Sequence, residues 1–160
     1  MLIFFKRVVV LFWFIWWLVA FVTDFLGFLN HFFGATFTWA INSNFVTLEK
    51  SLAFAHWSSG VIVTLYACVI IWLFISAILF ALASISAFRA GPPQDKKVVN
   101  LAFIVTLFFW LAFFIADQCV MKFGLEENHM VQGGFELLSY LALFIIPNHI
   151  ASRASGEVRL

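Results

Sequence analysis

Five side chains of the kinds that bind metals or transfer protons stand near the ends of the apolar stretches in this sequence. They are Asp24, His56, Asp117, His129 and Glu136. Imidazole and carboxylate groups together suit zinc, iron or copper. The seven-residue spacing of His129 and Glu136 puts both on one face of a helix. The pattern therefore predicts a candidate metal site of two histidines completed by one or more of the three acids.

Two other ligands fit the same residues. A haem b held between histidines on two helices would use His56 with His129 or His31. A quinone pocket needs only aromatic walls and one or two polar anchors. Asp24 and Asp117 would also form a pair of carboxyls able to share a proton. Because the sequence has no HxxxH or HExxH pair, our first expectation is that no cofactor is bound, with a metal or haem b as the alternatives.

Composition places these residues in a membrane protein. Hydrophobic residues make up 64% of the 160 and charged residues only 11%, whereas a soluble domain has about 25% charged residues. A net charge of +1 without a basic patch excludes nucleic acid as a partner, because binding it requires phosphate neutralisation. The expected partners are the lipid bilayer and other membrane protein subunits.

Four apolar runs approach the roughly 20 residues that a helix needs to cross a bilayer. They predict helices over residues 8–29, 57–88, 98–119 and 129–146. The fold class that follows is all-α: a polytopic integral membrane protein whose single domain, residues 1–160, is a four-transmembrane-helix bundle. The fourth run is the least continuous, because Gly133 and Gly134 interrupt its first turns. A glycine pair inside a membrane helix marks a bend or a close contact.

The connecting segments carry the information about orientation. Residues 30–56 form an outer segment at the membrane interface that includes a short helix, 89–97 a cytoplasmic hairpin loop, and 147–160 a polar C-terminal tail. Most Lys and Arg residues lie before the first run, in the 89–97 loop and in the tail. Short segments rich in Lys and Arg stay in the cytoplasm, which predicts an N-in/C-in protein of a bacterial inner membrane. This topology places all five candidate side chains on the outer side, with Asp24, Asp117 and Glu136 at or just inside the border.

The inner half of the second predicted helix is rich in small residues, including Ala77, Ala81 and Ser84. Small side chains let another helix approach closely. We therefore expect this face to pack against a neighbouring helix.

No known family is identified from these motifs. The aromatic content of 20%, the short polar loops and the lack of a complete catalytic set favour a small non-catalytic accessory subunit of a larger membrane complex, of respiratory or transport type. The alternative is a small membrane redox or metal-binding protein whose His and carboxylate site faces outward and holds a metal, haem b or a quinone.

Overall fold

The computed structural model describes residues 2–35, 37, 44–53, 56–89, 96–120 and 123–145. Most of these residues belong to five α-helices: α1 (Leu2–Phe33), α2 (Asn44–Leu52), α3 (Ser59–Phe88), α4 (Lys96–Val120) and α5 (Phe123–Ile145). The prediction of an all-helical protein is confirmed. The predicted hairpin loop and tail lie mostly or wholly outside the described residues.

Three helices are long and apolar enough to cross a membrane. The candidate spans are Phe4–Phe33, Ser59–Phe88 and Lys97–Val120, each of which exceeds the roughly 20 residues required. Helix α5 is 23 residues long but contains Glu126, Glu127, His129 and Glu136, which lower its hydropathy. The membrane character of the chain therefore rests on α1, α3 and α4.

The four long helices pack as consecutive antiparallel neighbours. Helices α1 and α3 run in opposite directions, since Ser84 Oγ donates to the Val10 carbonyl at one end (3.4 Å) and Tyr66 contacts Asp24 at the other. Antiparallel packing of α3 on α4 follows from two contacts, the hydrogen bond from Trp72 Nε1 to the Val105 carbonyl and the ring contact of Phe80 with Phe103. Helix α5 returns along α4.

The interior of the bundle is built from aromatic side chains and small residues. Trp13, Trp17, Phe80 and Phe103 are almost completely buried, and several of their ring pairs meet edge to face, the geometry that the ring quadrupole favours. Many other large apolar side chains on the same helices are exposed. A bundle with an apolar exterior is suited to lipid.

The face of α3 that carries the small residues Ala77, Ala81 and Ser84 packs against neighbouring helices. Ala77 and Ser84 are buried and Ala81 is half-buried. Ala77 belongs to the main hydrophobic cluster, which includes residues of α1 and α4. Helix α2, in the middle of the chain's 30–56 segment, contacts α1 and α3.

Candidate functional site

A cavity of about 210 Å³ lies near the C-terminal ends of α1 and α4, where α2 and the first turns of α3 and α5 meet them. Its walls include the buried side chains of Asp24, Asp117 and Tyr66, together with His129. Asn44 and Ala116, which also line it, are exposed. The cavity therefore places two carboxyls and an imidazole around a space whose rim reaches the protein surface.

The Asp117 and His129 side chains form a pair that joins α4 to α5. Asp117 Oδ2 lies 2.5 Å from His129 Nδ1, and Asp117 is only 5% exposed. Phe113 packs against the imidazole with its ring at 66° to it. A carboxylate on Nδ1 holds the imidazole in one tautomer and orientation. His129 Nε2 makes no hydrogen bond within the described part of the chain, so it is free to bind a ligand.

Asp24, which also lines the cavity, joins the first three helices. Asn44 Nδ2, at the start of α2, donates to Asp24 Oδ1 at 2.7 Å, and the Tyr66 hydroxyl of α3 lies 3.5 Å from the Asp24 backbone carbonyl. Asp24 is 8% exposed. A buried carboxyl requires a hydrogen-bond partner, and the bond from Asn44 also holds α2 against α1.

No protein-family model, no curated protein and no solved structure matches this chain.

Glu136 occupies a different place, midway along the bundle. Its side chain has no exposed surface and accepts three hydrogen bonds from two other helices. Thr106 Oγ1 lies 2.5 Å and Trp17 Nε1 3.3 Å from Glu136 Oε1, and Trp110 Nε1 lies 2.6 Å from Oε2. Thr106 and Trp17 stand near the centres of α4 and α1. The sequence predicted Glu136 at or just inside the outer membrane border, and the structure places it near the middle of α5.

The polar contacts of α4 and α5 form a continuous seam, defined here by Thr106, Trp110 and Asp117 on α4 and by His129, Gly133 and Glu136 on α5. Gly133 lies directly against Trp110, because a Cβ on Gly133 would stand 2.9 Å from Trp110 Cβ. This close approach lets Trp110 reach Glu136. Of the two roles predicted for the glycine pair, the structure shows a close contact at Gly133, with α5 helical throughout its length.

The five predicted site residues thus occupy three places. Asp24, Asp117 and His129 line the cavity, and Glu136 lies in the seam. His56 is exposed with a positive φ of 50° and does not line the cavity. Within the described ranges, no group of three His, Cys, Asp or Glu side chains is placed to hold a metal ion.

Sequence reasoning missed several polar partners. They are Asn44, Tyr66, Thr106 and Trp110. Their signal in the sequence is the helical spacing of Thr106, Trp110 and Asp117, which places all three on one face of α4. The partner on the opposing helix is set by packing.

Proposed function

We propose that this chain binds a quinol, or its oxidised quinone, in the cavity between Asp24 and the Asp117–His129 pair. The observation that carries the proposal is the joint lining of one small cavity by an oriented imidazole, two buried carboxyls and the aromatic side chains Phe113 and Tyr66. A quinone pocket requires aromatic walls and a few convergent polar groups. The volume of about 210 Å³ suits a single-ring head group.

The two carboxyls and the imidazole favour the reduced form. Two carboxyls and an imidazole whose Nδ1 is bonded to Asp117 present mainly acceptors, and a quinol has two hydroxyl donors. With the Nδ1 proton directed at Asp117, neutral His129 accepts a hydroxyl proton at Nε2, as an imidazole oriented by a carboxylate does in general-base catalysis. Asp117 then stabilises the imidazolium.

The described geometry gives less support to the other ligands. A haem b needs two facing histidines, and the cavity is lined by His129 alone among the described histidines, because His31 and His56 are exposed elsewhere. The described acids and histidines offer no three-ligand metal site. A quinol needs only one imidazole and therefore fits best.

Binding is tested by fluorescence of the protein in lipid nanodiscs. The ring of Trp110 lies 6.1 Å from that of His129, so a short-chain quinol, kept reduced under anaerobic conditions, should quench its emission in a saturable manner when it occupies the cavity. His129→Phe should weaken binding about twofold to tenfold, because a neutral hydrogen bond such as that from a quinol hydroxyl to Nε2 contributes about 0.5–1.5 kcal/mol. His56→Phe is the matched control and should bind like the wild type. Linear quenching that is equal in both variants would refute the proposal.

We also propose that α5 is the fourth membrane span, in an N-in/C-in protein of a bacterial inner membrane. At 1.5 Å per residue α5 is about 34 Å long, and its buried acid is satisfied by α1 and α4. Arg7 Cζ lies 5.7 Å from the centroid of the Phe88 ring. The start of α1, with Lys6 and Arg7, and the end of α3, followed by Arg89, are therefore at the same end of the bundle. Segments rich in Lys and Arg favour the cytoplasmic side.

Thiol labelling tests this orientation. Cys119, exposed at the end of α4, should react in a Cys68→Ser variant with a membrane-impermeant maleimide added outside intact spheroplasts. Labelling that requires permeabilised cells would reverse the proposed orientation.

The accessory-subunit role is a second proposal, supported by a groove on the exposed surface of α1, away from the interior of the bundle. The groove has a volume of about 340 Å³ and is lined by Phe12, Ile15, Trp16, Val19 and Ala20, a surface on which a helix of a partner subunit would fit. Oxidation of a bound quinol also needs an electron acceptor, which such a partner would supply. Stoichiometric co-purification in mild detergent supports this role, and a stable, quinol-binding monomer would contradict it.

A further inference from the structure

We propose that Glu136 is a proton-binding site inside the helix bundle, one that takes up and releases a proton while the surrounding helices keep their packing. The inference goes beyond the quinol site, because Glu136 does not line the cavity. It rests on the burial of the side chain and on the chemistry of the three groups that contact it.

The first observation is that no described Lys or Arg side chain neutralises Glu136. Within the described part of the chain, Glu136 makes no ion pair, and its contacts from α1 and α4 are Trp17, Thr106 and Trp110. None of these three side chains carries a charge, and the nearest titratable neighbours on α5 are His129 and Tyr140, seven and four residues away. An ionisable group buried among apolar helices without a counter-charge is costly to keep and marks a functional position by default.

The second observation is that the partners satisfy both protonation states. The two indole N–H groups can only donate, and they bond to both carboxyl oxygens in either state. Thr106 is the adaptable partner, because its Oγ1 lies 2.5 Å from Glu136 Oε1 and 3.0 Å from the Ala102 carbonyl. When Glu136 is ionised, the threonine hydroxyl donates to it. When Glu136 is protonated, its O–H donates to Oγ1 and the threonine hydroxyl donates to the Ala102 carbonyl.

A purely structural acid would not need this second arrangement. Rotation of one hydroxyl exchanges the two hydrogen-bond patterns, and no helix has to move. Trp110 extends the site toward the cavity, since it bonds to Glu136 and its ring contacts His129. The seam therefore places a proton-binding carboxyl two turns from an imidazole that can also accept a proton.

Infrared spectroscopy of the protein in lipid vesicles, without added quinol, tests the inference. The carbonyl stretch of protonated carboxyl groups is recorded from mildly acidic to mildly alkaline pH. A band that is lost on raising the pH, and that is missing from Glu136→Gln, is the expected result. Glu127→Gln, an exposed position on the same helix, is the matched control and should leave that band in place.

A second variant keeps the test decisive if Glu136→Gln fails to fold. Thr106→Val preserves the shape of the side chain and removes its hydroxyl, so the Glu136 band should shift in frequency. Thr64→Val, where the hydroxyl is exposed and bonds only within its own helix, should not shift it. A band that is independent of pH, or that is unchanged in Thr106→Val, would overturn the inference. Because no quinol is present, this result is independent of the quinol-binding proposal.

Discussion

Replacing Gly133 by alanine tests the contact on which the α4–α5 seam depends. A Cβ at this position would lie 2.9 Å from Trp110 Cβ, 3.0 Å from Trp110 Cγ and 3.4 Å from Phe114 Cζ. Carbon atoms in favourable contact are about 3.5–4.0 Å apart. The nearest neighbour is a Cβ, which does not move with side-chain rotation, so the two helix backbones must separate by several tenths of an ångström.

The expected cost follows from two destabilising effects and one stabilising effect. Overpacking of this kind costs about 1–3 kcal/mol, and separation also lengthens and weakens the 2.6 Å bond from Trp110 to Glu136. The better helix propensity of alanine returns up to about 1 kcal/mol. We expect Gly133→Ala to destabilise the protein by about 1–3 kcal/mol.

Gly134 provides the matched control on the next residue of the same helix. A Cβ there would meet nothing within 4 Å, so Gly134→Ala should be neutral or stabilising by up to about 1 kcal/mol. The free energy of unfolding of both variants is measured in mixed micelles by titration with a denaturing detergent, followed by tryptophan fluorescence. If Gly133→Ala is as stable as Gly134→Ala, the close approach of α4 and α5 is wrong.

Two further predictions concern the hydrogen bonds of the seam. Trp17→Phe should destabilise the protein by about 1–2 kcal/mol more than Trp13→Phe in the same unfolding assay. The reason is that Trp17 donates to Glu136, whereas the equally buried Trp13 Nε1 has no hydrogen-bond partner in the described structure. Equal losses of stability in the two variants would contradict the bond from Trp17 to Glu136. Asp117→Asn retains an acceptor for His129 but removes the charge. Quinol affinity should fall about threefold to tenfold, since charge-assisted hydrogen bonds are about twice as strong as neutral ones. Unchanged affinity would show that Asp117 does not act on the ligand.

The membrane character and the helices were predictable from the sequence because they depend on composition along the chain. Helix α1 extends beyond the predicted 8–29 at both ends, since its flanking residues Phe4, Phe5, Phe32 and Phe33 also suit a helix in an apolar or interfacial setting. Helix α3 begins within two residues of the predicted 57 and ends at the predicted 88. Apolar periodicity and length are local properties, and they suffice for this part of the fold.

Part of the candidate site could also be predicted from the sequence, because the hydropathy of the neighbouring residues indicates how far each ionisable residue lies from a helix end. Asp24, Asp117 and His129 were predicted to share one end of the bundle, and they line one cavity there. Glu136 was assigned to the same border on the strength of the interrupted apolar run around it. Hydropathy assigned a depth to this residue from its neighbours in the chain, whereas its depth in the protein follows from its partners.

Those partners could be found only in the tertiary structure. Trp17 of α1 and Glu136 of α5 are 119 residues apart in the chain. Trp110 of α4 reaches Glu136 because α5 approaches α4 closely at Gly133. A shift of one residue along α4 would rotate Trp110 by about 100° around the helix axis and separate it from Glu136. The sequence alone determined that this protein is helical and belongs in a membrane. The packing of α1, α4 and α5 decided that one acid is enclosed by three hydrogen-bond donors, while two others face a cavity.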